Sequence, residues 1–200
     1  ANAAAQGAAA VANAGWTLPE EGQALQLVAV DYENAARELD CETAAVHAVA
    51  DIESGGRTGF DAKKRPKILF EVARFRDNTG GRFDKSHPDL SAPYKSKARK
   101  ASYKKDQWVV IKAAFALDPE AALKSASWGM FQVLGSNFSM GGWTTVYAFV
   151  DDMFVSEARF VARLVHLERG LAEAGADVPV RGLAERRATG DAPARDRMVV

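Results

Sequence analysis

The chain has very few cysteines and histidines, the residues that form disulfide-bonded or metal-bound scaffolds. Its 200 residues include one cysteine, Cys41, and three histidines, His47, His87 and His166. A single cysteine excludes an intramolecular disulfide framework and a cysteine-rich zinc site. The histidines are far apart and none stands in an H-E-x-x-H spacing, so we expect neither a metal site nor a cofactor.

Net charge and long apolar runs are missing as well. The 26 basic side chains are balanced by 26 acidic ones, which leaves no overall field to draw the chain onto nucleic acid or an anionic membrane. No apolar run is long enough to span a bilayer. The alanine-rich start lacks the basic and leucine-rich regions of a secretory signal peptide. We therefore expect no nucleic-acid partner and no membrane span.

What remains is the composition of one globular domain, with 48% apolar and 26% charged residues. A chain of 200 residues is long enough for one sizeable core with tails. We assign 1–20 to an alanine-rich tail or linker and 21–171 to the domain. The last stretch, 172–200, has almost no aromatic content and is predicted to be a poorly ordered tail.

Apolar periodicity and capping residues predict a mainly helical protein. Asp31 is expected to cap a helix over 32–39, and Asp40 is expected to cap the helix that follows. A short strand over 66–70 predicts a β element of two or three strands, placed between this second helix and the helix at Trp108. Further helices are predicted over 107–116, from Asp118 to about Lys124, and within 144–169.

One acidic residue stands on an otherwise apolar helix face. Glu53 follows Val49 by four residues and Val46 by seven, so the three positions share a face at 3.6 residues per turn. Burial there would raise the pKa of the carboxyl and keep its proton, as a general acid requires. Gly55 and Gly56 end the helix at an open edge. The ordinary alternative is a helix-end glutamate that turns to solvent.

Two other polar features have both an ordinary and a functional interpretation. Six lysines and arginines occur between Lys95 and Lys105, which is typical of a solvated loop but also of an electrostatic rim for an anionic polymer. Gln132 is a polar side chain in an apolar run, and its ordinary interpretation is a satisfied buried amide.

Five short motifs occur in order along the chain. They are A-V-A-D-I-E-S-G-G over 48–56, R-P-K-I-L-F-E over 65–71 with Phe75 after it, T-G-G-R-F over 79–83, P-D-L-S over 88–91 and A-S-W-G-M-F-Q-V-L-G over 126–135. In order and spacing the chain resembles the phage-type N-acetylmuramidase endolysin domain, a peptidoglycan hydrolase. The resemblance implies a lysozyme-like fold of the mainly α, α+β type, a helical bundle with a small β element beside the active-site groove. It also implies that Glu53 is the catalytic acid.

The resemblance extends to the residues that would contact substrate. The Glu53-Ser54 pair and the later G-M-F-Q segment are similar to two signatures of lytic transglycosylases and goose-type lysozymes, in which the glutamine segment borders the sugar groove. This similarity implies that Gln132 and Ser127 bind substrate or orient the acid. The implied reaction is cleavage of the β-1,4 bond between N-acetylmuramic acid and N-acetylglucosamine.

The identity of a second catalytic group stays open. Inverting and retaining hydrolysis each need a second carboxylate, and Glu71 is the best candidate by motif because it closes R-P-K-I-L-F-E. An ion pair with Arg65 or another base explains Glu71 equally well. Three further acids lie in the same region: Asp61, Asp77 and Asp84. A lytic transglycosylase, or assistance by the muramoyl acetamido group, would need none of them.

Two departures from the family pattern keep further alternatives open. No histidine follows I-L-F-E, and the Tyr-Asn-Gly segment of the family is absent after Leu171. The chain could therefore be a lytic transglycosylase on the same scaffold or a degenerate peptidoglycan-binding domain without catalysis. We expect a monomer, and a phage or prophage lysin that is made in the host cytoplasm and acts on the cell wall.

Overall fold

The structure, a computed structural model, describes residues 15–55, 57–159, 161–163 and 165, with the backbone alone for Val49, Ile52 and Glu53. The helices are α1 Ala29–Leu39, α2 Thr43–Ser54, α3 Val72–Asn78, α4 Lys97–Ser102, α5 Gln107–Leu117, α6 Pro119–Lys124 and α7 Val146–Val155. The strands are β1 Ile68–Phe70, β2 Ala126–Trp128 and β3 Val133–Leu134, and a 3-10 helix spans Gly135–Gly141. The prediction of a mainly helical fold with a small β element is confirmed.

The sheet is antiparallel, in the order β1-β2-β3. Ser127 in the central strand lies opposite Leu69 of β1 and Leu134 of β3. The predicted position of the sheet, between the second helix and the Trp108 helix, is wrong for two of its strands, because β2 and β3 follow α6. Strands of two or three residues are too short to show alternation, so periodicity could not reveal them.

The edge of β1 that faces away from β2 is covered by the start of α5. The backbone N–H of Phe70 donates to the side-chain oxygen of Gln107 at 2.9 Å. The indole N–H of Trp108 donates to the C=O of Pro66 at 3.2 Å. Both contacts satisfy backbone groups that a sheet edge otherwise leaves to solvent.

The first two helices begin differently from the prediction. α1 starts at Ala29, and Asp31 lies inside its first turn, where its carboxylate accepts the N–H of Val28 at 2.9 Å. An aspartate in the first turn can reach back to a free N–H as well as a cap residue can. Asp40 ends α1 in a left-handed conformation, with φ of 53°, rather than starting α2. Aspartate tolerates this conformation better than most residues.

The later helices begin close to where the sequence predicts. Asp118 accepts the N–H of Ala121 at 2.9 Å at the start of α6, where Pro119 takes the first helical position. Asp106 caps α5 through the N–H of Trp108 at 2.8 Å. These two helices agree closely with the ranges expected from the sequence.

A single apolar core joins the sheet to most of the helices. Its largest fully buried side chains include Trp128, Phe70, Phe75, Phe149, Ile111 and Leu123. α2 contributes Val46 and Ala50 to the same cluster. The helix expected to bear the acid is therefore packed against the same core as the sheet.

The N-terminal stretch enters the domain earlier than the sequence indicated. Trp16 packs against Phe115 and Tyr147, with ring centroids 5.8 and 5.1 Å away, and its indole N–H donates to Asp151 at 3.0 Å. Leu18 also packs against the core. Both residues fall in the predicted tail, because an extended segment with two apolar side chains has no periodicity that would assign it to the domain. Residues 1–14 and 172–200 of the predicted tails lie outside the described residues.

Candidate active site

The predicted acid lies in the last turn of α2. Gly55 closes this helix in a left-handed conformation, with φ of 62°, and its N–H donates to the C=O of Asp51. Position 53 follows the buried residues Val46 and Ala50 by seven and three residues, so its backbone lies on the helix face that enters the core. The side chain of Glu53 lies outside the described residues, so its role stays a prediction.

The loop after α2 lies against two of the other motifs. The backbone N–H of Lys67 donates to the C=O of Gly59 at 2.6 Å, and its ammonium donates to the C=O of Thr58 at 2.6 Å. Gly59 approaches Met130 so closely that an added Cβ would lie 2.3 Å from the Met130 nitrogen. Only glycine fits at such a backbone contact. The loop therefore connects the end of α2 to the motif of Lys67 and to the motif of Met130.

Gln132 closes the turn between β2 and β3. Its amide group donates to the C=O of Gly129 at 2.9 Å and to the C=O of Lys67 at 3.3 Å. The side-chain nitrogen is thus satisfied, as the ordinary interpretation expected. The backbone of Gln132 has φ of 50°, and such strained non-glycine residues concentrate at functional sites. A contact between Gln132 and substrate stays a prediction.

Ser127 faces away from the main core. Its neighbours Ala126 and Trp128 are fully buried, and successive side chains of a strand point to opposite faces of the sheet. Ser127 itself is half-buried, on the same face as its cross-strand partners Leu69 and Leu134. This face could accept a ligand, but substrate binding by Ser127 also stays a prediction.

Glu71 is held by an aromatic and a basic side chain. Its carboxylate accepts the hydroxyl of Tyr103 at 2.8 Å, and the Nε of Arg99 lies 3.8 Å from the same oxygen. Burial, followed by the hydrogen bond to Glu71, raises the pKa of Tyr103 to about 12. The structure therefore places Glu71 in an ion pair, with Arg99 rather than Arg65 as the base. This position favours a structural role, and substrate binding by Glu71 stays a prediction.

Asp61 also belongs to a local ion pair. Its Oδ2 accepts the Nε and Nη2 of Arg65 at 2.9 and 2.7 Å, and its Oδ1 accepts the backbone N–H groups of Lys63 and Arg65. Partial burial raises the pKa of Asp61, but the hydrogen bonds from Arg65 and the backbone outweigh it and leave the pKa below its usual value. The guanidinium of Arg65 lies over the ring of Trp108 at 4.7 Å, which fixes the pair.

The other two candidate acids, Asp77 and Asp84, also lie close to a basic group, Arg76. The hydroxyl of Ser91 donates to Asp84 at 2.6 Å and the Nε of Arg76 donates at 2.9 Å. The bond from Ser91, followed by Arg76, lowers the pKa of Asp84 despite the opposing effect of desolvation. Asp77 lies 3.7 Å from Arg76 and is exposed.

Glu157 is a residue that the sequence analysis missed. It follows α7 and is only 6% exposed. Its Oε1 accepts the N–H of Gly59 at 2.6 Å and the hydroxyl of Thr58 at 3.1 Å, while its Oε2 accepts the N–H of Leu27 at 3.1 Å. The only signal in the sequence is an acid after an apolar helix, which is indistinguishable from an ordinary solvated glutamate.

In the part of the chain that the structure describes, no group of three histidine, cysteine or acidic side chains is close enough to hold a metal ion. None of the helices described is both long and apolar enough to cross a bilayer.

The fold is a helical body with a small antiparallel sheet. The β2–β3 hairpin of this sheet contacts the loop after α2, the helix of the predicted acid. This arrangement defines a lysozyme-like domain. The chain belongs to the N-acetylmuramidase family, since the sequence model of that family matches residues 42–174. The predictions of family and fold are therefore confirmed.

The crystal structure of the Burkholderia AP3 phage endolysin is similar to this chain, with a TM-score of 0.68 and 29% sequence identity. The similarity covers 90% of this chain and 65% of the endolysin, so the chain spans slightly less than two thirds of that protein's length. No curated protein sequence matches the chain.

Proposed function

We propose that the chain is a peptidoglycan hydrolase, a muramidase that cleaves the β-1,4 bond between N-acetylmuramic acid and N-acetylglucosamine with Glu53 as general acid. The observation that carries the proposal is the position of loop 57–60. This loop follows the helix of Glu53 and contacts both Lys67 and the turn that leads to Gln132. The motifs over 48–56, 65–71 and 126–135 are thereby connected around one end of α2.

The chemistry suits this arrangement. Glycosidic cleavage needs a proton delivered to the leaving oxygen while oxocarbenium character develops on the sugar ring. A carboxyl on the core-facing side of a helix end can keep its proton and still reach an open edge. The half-buried sheet face of Leu69, Ser127 and Leu134 would form one wall of the groove.

The other acids near the candidate site already have hydrogen-bond or ion-pair partners, and this affects which group could complete the reaction. Asp61 and Asp84 each accept hydrogen bonds from an arginine, and Glu71 accepts one from Tyr103 with Arg99 in an ion pair beside it. This favours a mechanism in which none of them activates water or attacks the sugar. The muramoyl acetamido group could assist instead, or the sugar 6-hydroxyl could attack, as in a lytic transglycosylase. The lytic transglycosylase is therefore our second candidate.

Mass spectrometry of purified peptidoglycan after incubation tests the proposal. The parent protein and Glu53→Gln are compared, with Asp51→Asn as a matched control because Asp51 is an exposed acid in the same turn. We expect the parent and the control to release muropeptides, and Glu53→Gln to be slower by about a hundredfold or more, since it removes only the acidic proton.

The products separate the alternatives. Reducing N-acetylmuramic acid ends support the hydrolase, and anhydro ends support the transglycosylase. Equal release by Glu53→Gln and parent would contradict the role of Glu53. Intact glycan with every protein, together with co-sedimentation on sacculi, would instead indicate a degenerate binding domain.

We also propose that the chain acts as a monomer on the cell wall, after synthesis in the cytoplasm of a phage-infected host. Its similarity to a phage endolysin supports this setting. Light scattering coupled to size exclusion would test the monomer, because a dimer would elute with twice the chain mass of 21.5 kDa.

A further inference from the structure

The buried carboxylate of Glu157 joins three separate parts of the chain. One oxygen of the carboxylate accepts hydrogen bonds from the N–H of Gly59 and the hydroxyl of Thr58. The other oxygen accepts one from the N–H of Leu27. Each of these donors lies in an extended or loop segment rather than in a helix.

Burying a carboxylate is costly, and in the part of the chain that the structure describes no basic side chain pairs with Glu157 to meet that cost. Among the described residues, the groups that bond to Glu157 are two backbone N–H groups and one hydroxyl. An apolar side chain would fill the space without the desolvation penalty. A buried carboxyl group that bonds only to loop residues acts mainly by fixing the position of that loop.

The loop that Glu157 holds is confined on its other sides as well. Lys67 binds the C=O groups of Thr58 and Gly59, and Gly59 is pressed against the backbone of Met130. Three residues separate Thr58 from Ser54, the end of α2, so the loop and the last helical turn are close along the chain. Displacements of about 1 Å can lower catalytic rates by about a hundredfold.

We propose that Glu157 is a positioning residue, whose carboxylate fixes loop 57–60. Through this loop, Glu157 positions the end of α2 that bears Glu53 relative to the turn of Gly129 and Gln132. This inference rests on the proposed function, because it assigns to Glu157 an indirect role in the rate of glycan cleavage. Glu157 itself does not contact the substrate in this proposal.

The test compares Glu157→Ala with Asp152→Ala. Asp152 is a suitable control because it is a partly buried acid of the neighbouring α7, yet its partners are Trp143, Arg159 and Arg163 rather than the loop. Muropeptide release is measured at several sacculus concentrations, well below the unfolding temperature of every variant. We expect Glu157→Ala to lower kcat by about tenfold or more and to leave KM within about twofold. Asp152→Ala should lower the unfolding temperature and leave kcat within about twofold.

A second measurement does not depend on activity. Amide hydrogen exchange of a peptide that covers the end of α2 and loop 57–60 should be faster in Glu157→Ala and unchanged in Asp152→Ala. If Glu157→Ala does not fold, Thr58→Val replaces it, because this change removes at nearly constant shape the hydroxyl that bonds to Glu157 and that also accepts the N–H of Phe60. Thr58→Val should lower kcat by about threefold, with faster exchange in the same peptide.

The outcomes separate this inference from the proposed function. Parent-like kcat and exchange in Glu157→Ala, or an equal loss of kcat in Asp152→Ala, would overturn the positioning role while the parent remained active. An inactive parent would overturn the proposed function, and the exchange comparison would still decide whether Glu157 fixes the loop.

Discussion

Asp61 shows how a single carboxylate can hold a long loop in place. It accepts two backbone N–H groups within its own turn and two bonds from Arg65. Because these donors prefer the ionised form, the pKa of Asp61 lies below its usual value although burial acts in the opposite direction. A depressed pKa in the folded state means that ionised Asp61 stabilises the fold.

We expect Asp61→Asn to lower the free energy of unfolding by about 1–3 kcal/mol at neutral pH. The difference from the parent should be complete above the unfolded pKa near 3.8. It should shrink as the pH falls below that value and through the lower folded pKa, because the parent then becomes protonated as well. Urea unfolding from neutral to acidic pH measures both curves, and a difference that grew toward low pH would contradict this account.

The candidate site residues differ in how far the sequence could define them. The motifs mark the segments of Glu53, Glu71 and Gln132, but the partners of Glu71 lie in the basic stretch over 95–105, which the sequence leaves open as a solvated loop or an electrostatic rim. An ion pair across 28 positions, from Glu71 to Arg99, leaves no local pattern. Glu157 was missed for the same reason, since its donors are distant in the chain.

At the scale of elements, two glycines allow steric contact and backbone strain to be told apart. An added Cβ at Gly59 would lie 2.3 Å from a backbone nitrogen, whereas at Gly80, with φ of 62°, it would meet nothing within 4 Å. We expect Gly59→Ala to destabilise the fold by about 3 kcal/mol or more, because the backbone cannot move aside. Gly80→Ala should cost only about 1 kcal/mol of left-handed strain.

Chemical denaturation of both variants checks this prediction. Similar values for the two would mean that the approach of loop 57–60 to Met130 is looser than the structure indicates. Circular dichroism on the same samples distinguishes a destabilised fold from a failure to fold.

The elements that the sequence predicted well are those with a local chemical signal. α5 and α6 begin at Asp106 and Asp118, whose carboxylates bond to the first free N–H groups. The strands β2 and β3 have no such signal, since their register depends on pairing with β1, which precedes them by more than fifty residues. Their formation is decided by tertiary packing rather than by propensity.

At the scale of the whole molecule, positive charge is concentrated around α4 although the chain is neutral overall. Lys105 pairs with Asp89 and Arg99 with Glu71. Four further lysines are exposed, and no carboxylate among the described residues pairs with them: Lys95, Lys97, Lys100 and Lys104. Their combined field is available to an anionic polymer such as the cell wall.

We expect a Lys97→Gln, Lys100→Gln double variant, made in the Glu53→Gln background, to bind sacculi about threefold more weakly at low ionic strength. The difference should vanish in high salt, because screening removes the attraction that the lysines supply. Lys112→Gln serves as control, since Lys112 is paired with Glu20 at 2.5 Å. Binding that does not depend on salt would dismiss a role for this surface.

The start of α5, which covers the free edge of β1, affects whether folded copies of the chain can aggregate through that edge. A sheet edge with free N–H groups can template strands from another chain, which leads to aggregation. Here the strand has only three residues, and the outward N–H of Phe70 is already bonded to Gln107. Folded copies can therefore crowd together without pairing through this edge, and strand exchange there would first require the start of α5 to detach.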